Sequence, residues 1–217
     1  MDKIISIWKP ENITSYDVVR KVKKYIKNEK IGHCGTLDPF AEGVLVLCIG
    51  SSTKKVSQIM DSKKIYKTTI VLGEETDTLD LTGTVIKRND KQITLNKKLI
   101  EVVINKYIGD YNQIPPYYSA KKINGIKLYD LARKNIFIRM KPNLVKIFNI
   151  ELNNWNNNEI QLTIECGKGT YIRSLTRDIS YALNTFGYVQ SLKRIKVGDY
   201  SKDTCLDYNN LENVIKA

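Results

Sequence analysis

An aspartate that precedes a proline, Asp38, is the first residue in this sequence whose setting suggests chemistry. It belongs to the segment GHCGTLDPFAEG, which leads into an apolar run from Val44 to Ile49. Pro39 disfavours the helical conformation at Asp38, so the carboxylate can project from a constrained loop at the mouth of a strand. Asp-Pro is also a common turn initiator, and a purely structural turn is the alternative.

A buried carboxylate that stays ionised needs a cation nearby. Arg173 follows a glycine-rich turn in the segment CGKGTYIRSL and is a candidate for this role, because a guanidinium can bind a carboxylate through two hydrogen bonds. His33 is the only histidine and adjoins Cys34. Neighbouring residues on an extended chain point to opposite sides, which argues against a thiol–histidine pair.

Several common catalytic motifs do not occur in the sequence. It contains no GxxxxGK[ST] phosphate loop, no GxGxxG after a predicted strand and no HExxH zinc helix. A single histidine rules out a two-histidine metal site. The cysteines form no CxxC pair, so we expect no metal and reduced thiols in a cytoplasmic protein. They are Cys34, Cys48, Cys166 and Cys205.

The charge balance points to a polyanionic partner. The chain has 35 Lys and Arg against 23 Asp and Glu, a formal net charge of +12, which favours nucleic acid or an acidic membrane surface. A lysine content raised by AT-rich coding is the alternative. No apolar run approaches the roughly 18 residues of a membrane span, and no signal peptide is evident at the amino end, so we expect a soluble protein.

Hydrophobic periodicity predicts a mixture of helices and strands that would position these residues. The economical prediction is one α+β domain. Strands are expected at 4–8, 65–73 and 187–200 and in a hairpin of 145–152 with 159–165, and helices after a cap at Thr14 or Ser15, at 51–60, at 96–108, after a cap at Thr170 and at 208–216.

The segment DYNQIPPYYSAKKINGIKLYDLARKN interleaves tyrosines with lysines around two prolines. It predicts an insertion lobe. Aromatic and basic residues in one irregular stretch suit base stacking and phosphate contact with RNA. A polar surface loop around a short helix, Lys127 to Arg133, is the alternative.

Five blocks occur in an order that resembles the bacterial TruB family of tRNA pseudouridine synthases. They are IWKPENITSYDVV, GHCGTLDPFAEGVL, KIYKTTIVLGEETDTLDLTG, QIPPYYSAKKINGIKLYDLAR and GKGTYIRSLTRDI. The resemblance implies an α+β fold with a mixed, largely antiparallel sheet and flanking helices. It also implies a single catalytic domain over 1–217, with a thumb-like insertion at 110–139. Many members continue into a carboxy-terminal PUA domain; this sequence departs from them by ending at Ala217, so we expect no PUA domain.

The activity that the resemblance implies is isomerisation of the T-loop uridine of tRNA, position 55, to pseudouridine. The base is extruded, cut from its ribose, rotated and rejoined through carbon. Because no atom is gained or lost, this reaction needs neither a metal nor a nucleotide cofactor. The implied partner is the T-arm stem-loop of tRNA, and we expect a cytoplasmic monomer that does not associate with membranes.

The resemblance also assigns roles to individual residues. Asp38 would be the essential carboxylate, acting as nucleophile at the sugar or base or as a base toward the ribose, and the choice stays open. Arg173 would pair with Asp38. Tyr66 would stack on the flipped uracil and assist removal of the C5 proton, where a half-buried strand tyrosine is the alternative.

Three further residues would contact the substrate. Tyr171 and Leu192 would line the uracil pocket, and His33 would stand at the gap left by the extruded base. Each could instead be an ordinary core or loop residue. Turn stabilisation is an equally good explanation for three more residues of the family-like blocks, which we leave outside the predicted catalytic set. They are Lys9, Asp77 and Asp80.

Two other classes of protein compete with an RNA-modifying isomerase. A non-catalytic RNA-binding protein would explain the charge, but would give no reason for Asp38, Arg173 and Tyr66 to occur together. A cytoplasmic hydrolase that uses Cys34 or Asp38 would explain neither the charge nor the insertion.

Overall fold

The computed structural model describes residues 2–26, 28–89, 94–123 and 125–212. The strands in these ranges are β1 (Lys3–Lys9), β2 (Ile31–His33), β3 (Glu42–Ile49), β4 (Lys64–Leu72), β5 (Glu74–Thr76), β6 (Val85–Arg88), β7 (Gly109–Gln113), β8 (Lys122–Ile123), β9 (Ile126–Lys127), β10 (Asn143–Trp155), β11 (Glu159–Cys166), β12 (Gly187–Val197), β13 (Tyr200–Ser201) and β14 (Leu206–Asp207). The α-helices are α1 (Ser15–Tyr25), α2 (Val56–Asp61), α3 (Lys97–Asn105), α4 (Leu128–Ala132) and α5 (Ile172–Ala182).

The chain forms two compact units. The first comprises Met1–Lys67 and Leu192–Ala217, and the second comprises Thr68–Ser191. Strands β4 and β12 contribute residues to both. The prediction of a single domain stays a prediction.

The sheet of the first unit has the strand order β14-β1-β3-β12. Strand β1 is antiparallel to β3, with Lys3 opposite Ile49 and Lys9 opposite Gly43, and it is parallel to β14. Strand β12 lies parallel to β3 on its other side. The predicted mixed sheet is confirmed.

Strand β3 is buried on both faces, which explains its continuous apolar sequence. One face carries Leu45, Leu47 and Ile49, which pack with β1 and α1. The other carries Val44, Val46 and Cys48, which pack with residues that include Trp8 of β1 and Ile59 of α2. A strand covered on both sides makes a rigid base for the loop that precedes it.

Helix α1 begins with a capping box. Thr14 Oγ1 accepts a hydrogen bond from Asp17 N at 3.1 Å, and Asp17 Oδ2 accepts one from Thr14 N at 2.9 Å. These two bonds satisfy groups that a helix start leaves open. The buried face, with Val18 and Val22, packs on the core of the first unit, which confirms the predicted cap at Thr14 and the apolar stripe.

The sheet of the second unit has the order β12-β4-β11-β10-β7. Strands β10 and β11 form the predicted hairpin, with Ile150 opposite Ile164 and Leu152 opposite Leu162. Strand β7 pairs antiparallel with β10, so 110–113 of the predicted insertion belong to the sheet. Beyond them lie the short hairpin β8–β9 and helix α4.

The predicted elements differ from the structure mainly at their ends. The helix expected at 51–60 is a 3-10 turn, Gly50–Lys55, followed by α2. The helix expected at 96–108 ends at Asn105, after starting at an Asn96 cap that accepts from Leu99 N at 2.9 Å. The closing helix expected at 208–216 starts as a 3-10 turn, Tyr208–Asn210, and its part after residue 212 lies outside the described residues.

Candidate active site

Asp38 lies in the loop between β2 and β3, at 34–41, and is partly exposed. Its own carbonyl accepts a hydrogen bond from Ala41 N at 3.1 Å, which closes a turn around Pro39. Ser15, at the start of α1, holds Leu37, the residue that precedes Asp38. Ser15 Oγ accepts a hydrogen bond from Leu37 N at 2.9 Å and donates one to Leu37 O at 3.1 Å. The predicted Asp-Pro turn is therefore present, and its backbone is fixed.

Lys9 lies beneath this loop and is fully buried. Its ammonium donates to the carbonyls of Pro10 and Ile13 at 2.8 Å and of Pro39 at 3.2 Å. Burial lowers the pKa of Lys9 to about 8; the Asp38 carboxylate opposes that shift, while Arg194 adds to it. The turn-stabilising role considered for Lys9 is what these contacts show.

Arg194, on β12, is a residue that the sequence analysis missed. Its side chain is buried, and its guanidinium donates to the carbonyls of Gly35, Thr36 and Val44. The only signal in the sequence was an arginine within a predicted strand, which reads equally well as a residue facing solvent.

His33 ends β2 and is half-buried. Burial lowers the pKa of His33, and the charge of Arg194 lowers it further, against a hydrogen bond with the Gly35 backbone. The ring is therefore neutral at pH 7. A neutral imidazole can stack and exchange hydrogen bonds with a base.

Tyr66 and Leu192 are buried residues of strands in the first unit. Tyr66, on β4, is on the same strand face as the buried Lys64 and Thr68. Leu192 lies on β12, two residues before Arg194. The first unit therefore contains four of the predicted site residues, which are His33, Asp38, Tyr66 and Leu192.

Tyr171 and Arg173 belong to the second unit, at the start of α5. The structure corrects the predicted cap: Tyr171 is the N-cap residue, and Thr170 Oγ1 instead bonds the carbonyl of Gly167 at 3.1 Å. Gln113 fixes the start of the helix, because its amide accepts from Tyr171 N at 2.7 Å and donates to Tyr171 O at 3.0 Å. By fixing the first turn of α5, these two hydrogen bonds set the direction of the Arg173 side chain.

The Arg173 guanidinium is buried in a network of oxygen acceptors. Nη1 donates to the Thr78 carbonyl and Nη2 to the Tyr118 carbonyl, each at 2.8 Å. Nη1 also lies 3.3 Å from Asp80 Oδ2. Asp80, which lies outside the predicted catalytic set, is thus an ion-pair partner of a predicted site residue.

Asp80 is itself held by neighbouring threonines. Its Oδ1 accepts from Thr78 Oγ1 at 2.8 Å, from Thr82 Oγ1 at 2.6 Å and from Thr82 N at 3.0 Å. Asp77 differs, since its carboxylate accepts from Thr84 N at 2.8 Å and from the Tyr118 hydroxyl at 3.3 Å. The TLDLTG segment is recognisable in the sequence. The contact between Asp80 and Arg173 could not be recognised, because the two residues are 93 positions apart.

Neither a membrane-spanning helix nor a metal-binding cluster occurs among the described residues. No helix in 2–26, 28–89, 94–123 or 125–212 is long and apolar enough to cross a membrane. Within the same ranges, His, Cys, Asp and Glu side chains form no group of three that could hold a metal ion.

Comparison with solved structures supports the fold. The chain of a Cbf5-Nop10-Gar1 complex matches with a TM-score of 0.74 and 25% identity, over 97% of this chain and 53% of that chain. A chain from an H/ACA RNP bound to a substrate RNA containing 2′-deoxyuridine matches with a TM-score of 0.70 and 23% identity. The present chain spans about half the length of these solved chains.

Comparison with curated proteins and family models is more specific. A protein of Clostridium kluyveri named tRNA pseudouridine synthase B is 44% identical over all of this chain and 75% of its own length. A protein of the same name from Oceanobacillus iheyensis is 39% identical over 99% of this chain and 72% of its own length. Residues 23–172 match the model described as TruB family pseudouridylate synthase, N terminal domain. The chain therefore belongs to the TruB family of pseudouridylate synthases.

Proposed function

We propose that the protein converts uridine in tRNA to pseudouridine, and that its target is the T-loop uridine at position 55. The observation that carries the proposal is the alignment of the whole chain with proteins named tRNA pseudouridine synthase B. The net charge of +12 fits an RNA substrate. The fixed loop around Asp38 fits a reaction that depends on the position of one carboxylate.

The reaction rearranges bonds within one nucleotide. The bond between ribose C1′ and uracil N1 breaks, and a bond between C1′ and C5 forms. C5 loses its proton and N1 gains one, so the substrate and the product contain the same atoms and no electrons are exchanged with a partner. The base must leave the helical stack before a side chain can reach these atoms.

Asp38 is the proposed essential carboxylate. As a nucleophile, it attacks the sugar or the base and forms a covalent intermediate that later collapses. As a general base, it removes a proton from the ribose and so promotes loss of the uracil. Both routes need an ionised carboxylate, and we propose that Arg173 supplies the positive charge that keeps it so.

The remaining predicted site residues bind the substrate in this proposal. Tyr66 stacks on the uracil and assists removal of the C5 proton, while Tyr171 and Leu192 line the same pocket. His33, neutral at pH 7, stands in the space that the extruded base has left. The segment 110–139 contacts the T-arm, and the protein acts as a monomer in the cytoplasm.

A chemical map of pseudouridine tests the proposal. A tRNA transcript without modifications is incubated with the purified protein, and pseudouridine is then located by carbodiimide modification and primer extension. We expect one new stop, at the T-loop uridine, without any added cofactor. Conversion elsewhere in the tRNA would contradict the assigned position, and binding without conversion would favour the non-catalytic RNA-binding protein.

A further inference from the structure

The backbone of the loop that carries Asp38 is held along its whole length. Five consecutive carbonyls, from Gly35 to Pro39, each accept a hydrogen bond. The donors belong to different elements of the first unit and to the loop itself. They are Arg194 for Gly35 and Thr36, Ser15 for Leu37, Ala41 for Asp38, and Asn12 and Lys9 for Pro39.

Arg194 supplies the bonds to the first two of these carbonyls, those of Gly35 and Thr36. Nη2 donates to Gly35 O at 3.1 Å and Nη1 to Thr36 O at 3.4 Å, while Nε donates to Val44 O of β3 at 2.8 Å. One planar group therefore ties the start of the loop to the strand that follows it. A lysine has a single ammonium at the end of its side chain and cannot reproduce three donors in this fixed arrangement.

The depth of Arg194 depends on its neighbour in the sheet, Gly43. The two residues are register partners in the parallel pair β12–β3. Gly43 has φ +127°, and a Cβ added there would lie 2.2 Å from the Arg194 carbonyl oxygen. The close approach that only glycine permits is what brings the Arg194 side chain under the loop.

Burying a guanidinium costs free energy, because the charged group loses its hydration. The Arg194 side chain is 1% exposed, and an apolar residue of similar volume would avoid the loss of hydration of a charged group. Its acceptors are the Gly35 and Thr36 carbonyls of the loop that carries Asp38 and the Val44 carbonyl near the start of β3. These acceptors indicate that Arg194 holds the loop in place and does not merely fill space in the core.

We propose that Arg194 is a positioning residue for the isomerisation, because its guanidinium sets the backbone before Asp38 and thereby the place of the carboxylate relative to the sugar–base bond. This inference rests on the proposed function. Arg194 does not touch the reacting atoms in this account. It acts through Gly35 and Thr36.

The test compares Arg194→Met and Arg194→Lys with the parent protein under single-turnover conditions, at a temperature where each is folded. We expect Arg194→Met to lower the rate of conversion by about 100-fold, the scale expected for a misplaced reacting group, with the Kd for tRNA changed by less than about threefold. Arg194→Lys keeps the positive charge but lacks the planar guanidinium with its three donors, so its rate should lie between those of the parent and Arg194→Met.

Val22→Ala is the matched control. Val22 is fully buried in the core of the first unit, on α1, and makes none of the loop contacts described above. Its substitution should lower the melting temperature and leave the single-turnover rate of the folded protein unchanged. If Val22→Ala and Arg194→Met lost rate to the same extent, Arg194 would be only a stabilising residue.

His33 gives a second readout that does not depend on catalysis. It is the only histidine, so its ring signals in a nuclear magnetic resonance titration need no separation from others. Arg194→Met removes the positive charge and should raise the pKa of His33. Arg194→Lys keeps the charge, so the pKa of His33 should stay below that in Arg194→Met. Val22→Ala should have the same His33 pKa as the parent.

The possible outcomes separate the two proposals. A parent-like rate in folded Arg194→Met, or in Arg194→Lys if the methionine variant does not fold, would overturn the role of Arg194. Absence of conversion by the parent would count against the proposed function instead. The His33 titration would still show whether Arg194 lies against the loop in solution, and an unchanged pKa in a folded variant without the charge would overturn that contact.

Discussion

Arg173 and Asp80 form a buried ion pair, with Nη1 and Oδ2 3.3 Å apart and side chains that are 4% and 5% exposed. Two backbone carbonyls also accept hydrogen bonds from the guanidinium. The arginine proposed to assist Asp38 is therefore oriented before any substrate binds. The contact assigns Asp80 the task of orienting Arg173 within the second unit.

Asp80→Asn should impair both stability and rate. The substitution removes the charge of the buried carboxylate that pairs with Arg173 at 3.3 Å, so we expect the free energy of unfolding to fall by about 3 kcal/mol. The single-turnover rate should also fall, since Arg173 loses its fixed orientation. Urea unfolding and quench-flow conversion of tRNA measure the two effects.

Asp77→Asn is the control for this prediction. Asp77 lies three residues away and bonds Thr84 N and the Tyr118 hydroxyl. We expect its amide variant to keep a rate close to that of the parent. Equal loss of rate in Asp77→Asn and Asp80→Asn would mean that the loop as a whole matters and the ion pair does not.

Gly43→Ala should be strongly destabilising. The new Cβ would lie 2.2 Å from a backbone oxygen, in a residue with φ +127°, and neither strand can move away without breaking the sheet. We expect a loss of about 4 kcal/mol or more in the free energy of unfolding. Chemical denaturation followed by circular dichroism provides the measurement.

Gly73→Ala separates the two causes. Gly73 also has a positive φ, +98°, but a Cβ there meets nothing within 4 Å. Only the conformational cost of about 1–2 kcal/mol should remain. If the two variants were equally stable, the close approach between β3 and β12 would not exist in solution.

The parts of the fold that local chemistry determines could be predicted from the sequence. Thr14 and Asp17 satisfy each other across one helical turn, so the start of α1 needs no distant information. The run from Val44 to Ile49 predicted a buried strand because both of its faces are apolar. Asp38 before Pro39 indicated a constrained carboxylate for the same local reason.

The parts that depend on distant contacts could not be predicted in this way. Lys193 and Arg194 are adjacent on β12, yet Lys193 Nζ contacts Glu42 at 2.6 Å whereas the Arg194 side chain is buried. This difference follows from the close approach of Gly43, which lies 151 positions earlier in the sequence. Asp80 and Arg173 were both visible in the sequence, but the ion pair between them was not. In both cases the missing information was which backbones meet.

The stability of the protein should depend on pH through Lys9. In the folded protein the pKa of Lys9 is about 8, against the usual 10.5, chiefly because of burial. Between these values the unfolded chain holds a proton that the folded protein has released, so the free energy of unfolding rises with pH. This contribution is present in full above pH 10.5 and is lost as the pH falls through 8.

Lys9→Met isolates this contribution. The parent should gain stability relative to Lys9→Met as the pH rises through the window from 8 to 10.5, and the difference between them should be constant below it. Urea unfolding at a series of pH values measures the difference, with Lys24→Met on the exposed face of α1 as control. A difference that does not vary with pH would contradict a buried, charged Lys9.

The salt dependence of tRNA binding should report on the segment 110–139. Lys122 and Lys134 are exposed there, whereas Lys121 Nζ already donates to Asn143 at 2.8 Å. Replacing Lys122 and Lys134 by Gln should lower the slope of log affinity against log salt by about one to two units if both contact phosphate. The same replacement of Lys97 and Lys98 on α3 is the control. Equal slopes for the two double variants would remove this segment from the RNA path.

The central claim, that Asp38 carries the isomerisation, is tested most directly by Asp38→Asn with tRNA tritiated at C5 of uridine. Formation of the carbon–carbon bond at C5 releases the tritium to water, so release counts turnovers. We predict that the variant stays folded, binds tRNA within about threefold of the parent, and releases tritium at least about 1,000-fold more slowly. Release at a rate near that of the parent would contradict the account, because a neutral amide would then perform the chemistry assigned to the Asp38 carboxylate.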